Sequence, residues 1–131
     1  MKSILKKLQD DKHYYGAYGR KYLSNSNIGV LLTNPRDFGK PQQESLPMVQ
    51  GRYFHVSMLE PHKKSQFQIV DASSRNTKIY KEQSGGQLKL LSKEATQLDL
   101  AIEAMKNNKE LSSEIYSDSA QYEVPMIGNF F

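Results

Sequence analysis

The chain has 131 residues, the size of one small domain, with 18 basic and 14 acidic side chains, a net charge of +4 and 37% hydrophobic residues. It has no cysteine, which excludes a disulfide framework, a thiolate zinc site and a cysteine nucleophile. The longest aliphatic stretch, near Ile28 to Leu32, is far short of a membrane span. The opening MKSILKKLQDDK is too charged for a signal peptide, so the expectation is a soluble cytoplasmic protein without a membrane partner.

In chain order, Ile4, Leu5 and Leu8 sit at helical spacing with Lys6 and Lys7 outside, which predicts a short amphipathic helix over 1–10. Residues 14–22 hold two glycines and four tyrosines and read as an ordered loop. Ser24 or Ser26 can cap a following helix whose buried face is Ile28, Leu31 and Leu32, and Asn34-Pro35 stops it. Residues 36–47 read as a connecting loop. PMVQGRYFHVSMLEP is a helix opened by Pro47 and ended by Pro61, with Met48, Gly51, His55, Met58 and Leu59 near one face. A mid-helix glycine costs about 1 kcal/mol against alanine, so Gly51 calls for close packing or ligand approach.

Residues 66–70 read as a short strand, while 77–83 fit a helical turn or a strand equally well. Gly85-Gly86 is a turn, and 88–91 a strand. Ser92 with Glu94 and Ala95 opens the best-patterned helix, with Leu98, Ile102 and Met105 on its buried face. Asn107-Asn108 breaks it. Leu111, Ile115 and Tyr116 suggest a shorter helix, and 122–127 alternates as a final strand leading to Phe130-Phe131. Mixed helices and strands without a repeat predict one α/β or α+β domain over 1–131.

Charge is uneven. Residues 1–64 carry 11 basic and 5 acidic side chains, and residues 65–131 carry 7 and 9. A basic half favours a polyanionic partner; chance clustering on solvated helices is the plain alternative. His55, four residues after Gly51, is a helix-borne imidazole able to bind a metal, or else an ordinary hydrogen-bonded histidine. Glu123 on the expected terminal strand can ligate Mg²⁺ or simply face solvent. The N–H groups opening the helix at Ser24, Asn25 and Ser26 can receive a phosphate, assisted by Arg20 and Lys21, or serve only as a cap. Tyr14, Tyr15, Tyr18 and Tyr22, interleaved with Lys12, Arg20 and Lys21, suit stacking on unpaired bases or half-buried packing. Arg75, Lys78 and Lys81 fit one phosphate-facing stripe or a solvated face. No GxGxxG, Walker loop, HExxH or GxSxG is present. Asp10-Asp11-Lys12 ends the first helix and reads as coincidence.

YLSNSNIGVLLTNPRDF resembles the LS-x-S-x-(I/L)-x-x-L-L-x-x-P-x-x-(F/Y) opening of the phage and prophage recombination exonucleases. This is the exonuclease VIII (RecE-like) group, related to lambda exonuclease and the RecB nuclease family. GRYFHVSMLEPHKKSQF resembles their next segment, a G-x-x-x-H helix running into LEP, and YEVPMIG the strand before the catalytic acids. The likeness spans most of 14–131. It implies a PD-(D/E)xK core of the restriction-endonuclease type, here the N-terminal helices and first strands of an incomplete sheet. It also implies Mg²⁺-dependent digestion of duplex DNA from its ends during phage recombination, in a bacterial or phage-infected cell.

By the same resemblance His55 is the residue beside the metal, Glu123 the catalytic strand acid, and Ser26 with Arg20 the phosphate holders. From the capping and charge reading above, Ser24, Arg75 and Lys78 are added as DNA or phosphate contacts, and Gly51, Glu60 and Pro61 mark the helical motif. The family's metal-binding Asp and (D/E)-x-K lie beyond the EVP strand. Here no aspartate follows Asp118 and no lysine follows Lys109. A lone His55 would bind Mg²⁺ poorly, because that ion prefers oxygen ligands. The expectation is a split or truncated enzyme, inactive alone, holding Mg²⁺ only in a site completed by a second polypeptide. The resemblance also allows a homo-oligomer. The rival readings are a non-catalytic DNA-end-binding or protein-interaction module derived from such a nuclease, and a small structural protein.

Overall fold

The computed structural model describes residues 1–128; the Phe130-Phe131 end of the expected final strand lies outside them. Contacts group the chain into two compact units where the sequence reads as one domain. One is Met1–Gln42 with the residues from Glu123 on, the other Gln43–Tyr122. The class is mainly helical with a small parallel sheet, an α+β arrangement. Among the described residues no helix is long and apolar enough to cross a membrane.

The first unit opens with α1 (Lys2–Leu8), which buries Leu8 and half-buries Ile4 and Leu5 as its spacing predicts. α2 (Asp11–Tyr14) follows, between the predicted first helix and the predicted loop over 14–22. Its signal is Asp10, whose carboxylate accepts the Lys12 N–H at 3.0 Å and caps the turn. A 3₁₀ turn over Gly19–Lys21 then folds the chain back. Gly16 and Gly19 are required here: a Cβ at Gly16 would collide with the Lys12 carbonyl, and one at Gly19 with the Tyr14 carbonyl. α3 (Asn25–Thr33) carries the expected cap, Ser24 Oγ accepting the Asn27 N–H at 3.1 Å while Asn27 Oδ1 accepts the Ser24 N–H at 2.9 Å. The helix ends before Pro35 as expected. Its predicted face does not form a core, since Ile28 is only half-buried, Leu31 is exposed and Leu32 is 81% exposed. Spacing created an apolar stripe, but among the described residues of this unit no element buries Leu31 and Leu32.

In the second unit α4 (Leu46–Leu59) has Pro47 in its first turn and is followed by a 3₁₀ segment opened by Pro61 (Pro61–Gln66). It buries Val49, Tyr53, Val56, Ser57 and Met58. The expected face is half right: Met58 is buried and Leu59 half-buried, but Met48, Gly51 and His55 are exposed. The reason is that Val49, Tyr53 and Val56 form the competing i, i+4, i+7 row, and a tyrosine buries more area than a methionine. β1 (Ile69–Val70) is shorter than predicted. α5 (Lys78–Ser84) settles the ambiguous 77–83 as a helix, capped by Thr77 Oγ1 and closed by Gly85 at φ +59°. β2 (Leu90–Leu91) returns parallel to β1, pairing Ile69 with Leu90 and Val70 with Leu91.

α6 (Ser92–Asn107) buries Ala95 and Ile102 and half-buries Leu98 and Met105, close to its predicted face. Asn108 ends it and caps α7 (Lys109–Ile115), accepting the Leu111 N–H at 3.2 Å. Val49, Tyr53, Met58, Leu90, Ala95 and Ile102 make the main core, while Val70, Tyr80 and Leu91 make a second cluster under α5. A two-residue ladder is marginal alone, so the covering helices hold it. Tyr80 adds a clamp: its OH accepts the Lys89 N–H at 2.9 Å and donates to the Lys89 carbonyl at 3.2 Å.

Residues 117–128 form no helix or strand. The expected strand over 122–127 is absent because two of its residues work against extended pairing. Glu123 takes a left-handed φ of +52°, and Pro125 lacks the N–H a ladder needs.

Candidate functional site

The C-terminal end of α4 gathers the one predicted metal-side residue with an acid. Pro61 cannot extend the helix, so the chain turns at Glu60, which leaves helical geometry at φ −134° and ψ 57°. This brings a Glu60 carboxylate oxygen and a His55 ring nitrogen within 4.8 Å of each other. Glu60 was read from sequence only as part of the motif; the turn makes it the partner of His55. Its Oε1 also accepts from Lys63 Nζ at 2.7 Å, an ion pair largely covered from solvent.

The same 3₁₀ segment is tied to α6. Lys64 Nζ donates to Asp99 Oδ1 at 2.7 Å, and Tyr53 OH donates to the same oxygen at 2.9 Å. Lys64 also lies 5.0 Å from the centre of the Tyr53 ring, and Tyr53 meets Phe67 edge-on at 5.3 Å. Burial pushes the Asp99 carboxyl up, but the hydrogen bonds from Lys64 and Tyr53 outweigh it and hold the group below the ordinary aspartate value. The bond to Asp99 raises Lys64, and burial, then the bond to Asp99, raises Tyr53. The network fixes the turn that positions Glu60. Sequence reading missed it, because Tyr53, Lys64 and Asp99 are joined by the fold across 46 residues and leave no local pattern.

Gly51 stands one turn before His55 on the same exposed side. Nothing lies within 4 Å of a Cβ built there, so the close approach expected at this glycine is not found. An imidazole and a carboxylate together suit a divalent ion with mixed nitrogen and oxygen ligands. They do not make a cage for Mg²⁺, which demands nearly octahedral oxygen coordination. Mg²⁺ therefore does not fit the His55–Glu60 pair unless further oxygen ligands are added.

The phosphate-binding candidates separate. Ser24 Oγ is spent on the α3 cap and on Ser26 Oγ at 2.8 Å, so both hydroxyls are engaged locally while Arg20 is exposed. Arg75 precedes α5 and cannot share a helical stripe with Lys78 and Lys81, which corrects that expectation. Its guanidinium grips Glu94 with two bonds of 2.7 and 2.6 Å and the Lys89 carbonyl at 3.1 Å. Glu94 in turn accepts the Leu91 N–H at 3.0 Å at the start of α6. The Arg75 bond, ahead of burial, holds Glu94 below the ordinary glutamate value. Arg75 is thus a tie between α5 and α6. Lys78 remains on the surface, 3.7 Å from Glu82. Glu123 is exposed in the first unit.

No family model matches this chain, and no curated protein or solved structure matches it.

Proposed function

We propose that this chain is the N-terminal segment of a Mg²⁺-dependent exonuclease that degrades duplex DNA from its ends, with an incomplete core of the restriction-endonuclease type. The observation that carries the reading is the His55–Glu60 pair at the Pro61 turn, where the G-x-x-x-H…LEP likeness expects a metal-side residue. Glu123 supports it in a second way. A left-handed backbone costs a glutamate about 1–2 kcal/mol, and such strain concentrates at functional positions. By the resemblance Glu123 is an acid near the scissile region.

Phosphodiester hydrolysis in this class needs further groups. His55 and Glu60, joined by added oxygen ligands, would hold a divalent ion that would supply water activation and leaving-group stabilisation, and a lysine would steady the nucleophile. Within these 131 residues no (D/E)-x-K strand follows Glu123. In this reading those groups come from further polypeptide, in the same or a second chain, and the Mg²⁺ oxygen ligands come with them. Here His55 and Glu60 orient one side of the pocket, and Lys63 balances the Glu60 charge until an ion displaces it.

The test supplies the missing half. The 131-residue chain is assayed on an end-labelled linear duplex with Mg²⁺, alone and with a polypeptide carrying the Asp and (D/E)-x-K strands of this nuclease type. The expected result is no digestion alone and Mg²⁺-dependent digestion from the ends with both. An associated but inert mixture contradicts the proposal.

A further inference from the structure

Residues 2–22 carry a feature that, Arg20 apart, the nuclease reading does not use. Six cations, Lys2, Lys6, Lys7, Lys12, Arg20 and Lys21, accompany two acids, Asp10 and Asp11. Asp10 is occupied by its cap and by His13 Nδ1 at 2.8 Å. Among these charges stand four tyrosines that do not stack face to face. Tyr14 and Tyr15 meet edge-on at 5.0 Å, and Tyr18 and Tyr22 at 6.0 Å. Tyr15 is 71% exposed and Tyr14 46%. An edge-on contact covers at most one face of a ring, and at these exposures the remaining faces of Tyr14 and Tyr15 are open to solvent.

Two of the cations are seated on this surface. Lys7 Nζ lies 4.9 Å and Lys21 Nζ 5.8 Å from the centre of the Tyr18 ring, so positive charge stands beside the Tyr18–Tyr22 pair. Gly16 and Gly19 permit the tight return that assembles it, since a side chain at either would strike backbone. The result is a set of presented ring faces with ammonium groups around them. Those are the two elements of a sequence-tolerant single-strand site: bases stack on rings and the backbone runs along the charges.

We propose that the surface of α1, α2 and the Gly19–Lys21 turn binds single-stranded nucleic acid, with Tyr14 and Tyr15 as the stacking platform and Lys7, Lys12 and Lys21 as the phosphate contacts. The inference rests on the first unit alone and stands apart from the nuclease reading. A duplex hides its base faces and is expected to bind this surface less tightly.

The chain has no tryptophan and eight tyrosines, four of them in residues 2–22, so the quenching lost on changing Tyr14 or Tyr15 reports stacking at this surface. The full chain is titrated with oligo-dT, oligo-rU and a duplex of equal length. Expected are quenching by both single strands and weaker duplex binding; a dT or rU preference then identifies which strand is the natural one. Tyr15→Ala lowers single-strand affinity about tenfold, while Tyr15→Phe, which keeps the ring, stays within about twofold. Lys7→Gln with Lys21→Gln flattens the salt dependence, each phosphate contact adding about 0.7 to the single-strand slope. Circular dichroism confirms that the variants fold. Equal binding by Tyr15→Ala and the unaltered chain overturns the proposal. So does tighter binding to duplex, or binding of phosphatidylserine vesicles with the same dependence on Tyr15 while oligonucleotides are ignored.

Discussion

The two units are specified by opposite means. In Gln43–Tyr122, α4 and α6 bury a continuous row of side chains, and polar ties lock the turns between them. In Met1–Gln42 a single described residue, Leu8, is fully buried, while α3 presents its leucines to solvent. The first unit is instead shaped by backbone: an Asp10 cap, a Ser24–Asn27 box and two glycines at close approaches. A core specifies structure through volume, and a cap or a close approach specifies it through single residues. The comparison teaches where each kind of change should hurt.

The largest effect is expected in the second unit, at Glu94. Glu94→Ala removes two Arg75 bonds and the Leu91 tie and leaves a largely covered guanidinium unpaired, at a cost of about 3 kcal/mol by urea unfolding. The sign of its pH dependence follows from its lowered pKa. The unfolded chain binds the proton first, so this stability is complete above the ordinary glutamate value. It is lost as pH falls from there through the lowered folded value. Glu94→Gln should flatten that acid limb.

Gly19→Ala comes next and tests the first unit. Its methyl would strike the Tyr14 carbonyl, so a loss on the order of 2 kcal/mol is expected in the protection of residues 11–22 from hydrogen exchange. Gly51→Ala reverses the sign. An exposed mid-helix glycine with open space around it should gain about 1 kcal/mol on becoming alanine. Opposite signs at two glycines would sharpen the contrast between the units, and matching losses would break it.

Tyr53→Phe removes one hydrogen bond to Asp99 and should cost about 1 kcal/mol. The smallest effect is expected at Leu32→Gln, within about 0.5 kcal/mol because the residue is exposed. A large loss there would mean that the α3 stripe is covered after all.

Much of the architecture was legible because it depends on local signals. Pro61, Gly85-Gly86 and Asn108 placed boundaries, and Leu98, Ile102 and Met105 placed the α6 face. The α4 face was misjudged because its row of methionines, glycine and histidine is nearly as regular as the Val49–Tyr53–Val56 row, and only packing against β2 and α6 chooses between them. The final strand was misread because alternation in 122–127 says nothing about whether a neighbouring strand exists to pair with it. At the site, His55 was visible from its helix. The role of Glu60 depends on how Pro61 turns the chain, and the Tyr53–Asp99–Lys64 network on contacts far apart in sequence. Arg75 looked like a DNA contact because charge can be read from sequence and an internal carboxylate partner cannot.

The central claim is that the α4 end carries one side of a nuclease metal pocket. Its most direct test is digestion of an end-labelled duplex by the chain completed with an Asp and (D/E)-x-K polypeptide, comparing unaltered His55 with His55→Ala. The account predicts Mg²⁺-dependent digestion that slows at least about tenfold in the variant, with the fold and the association of the halves unchanged. Equal rates for the two proteins would contradict it.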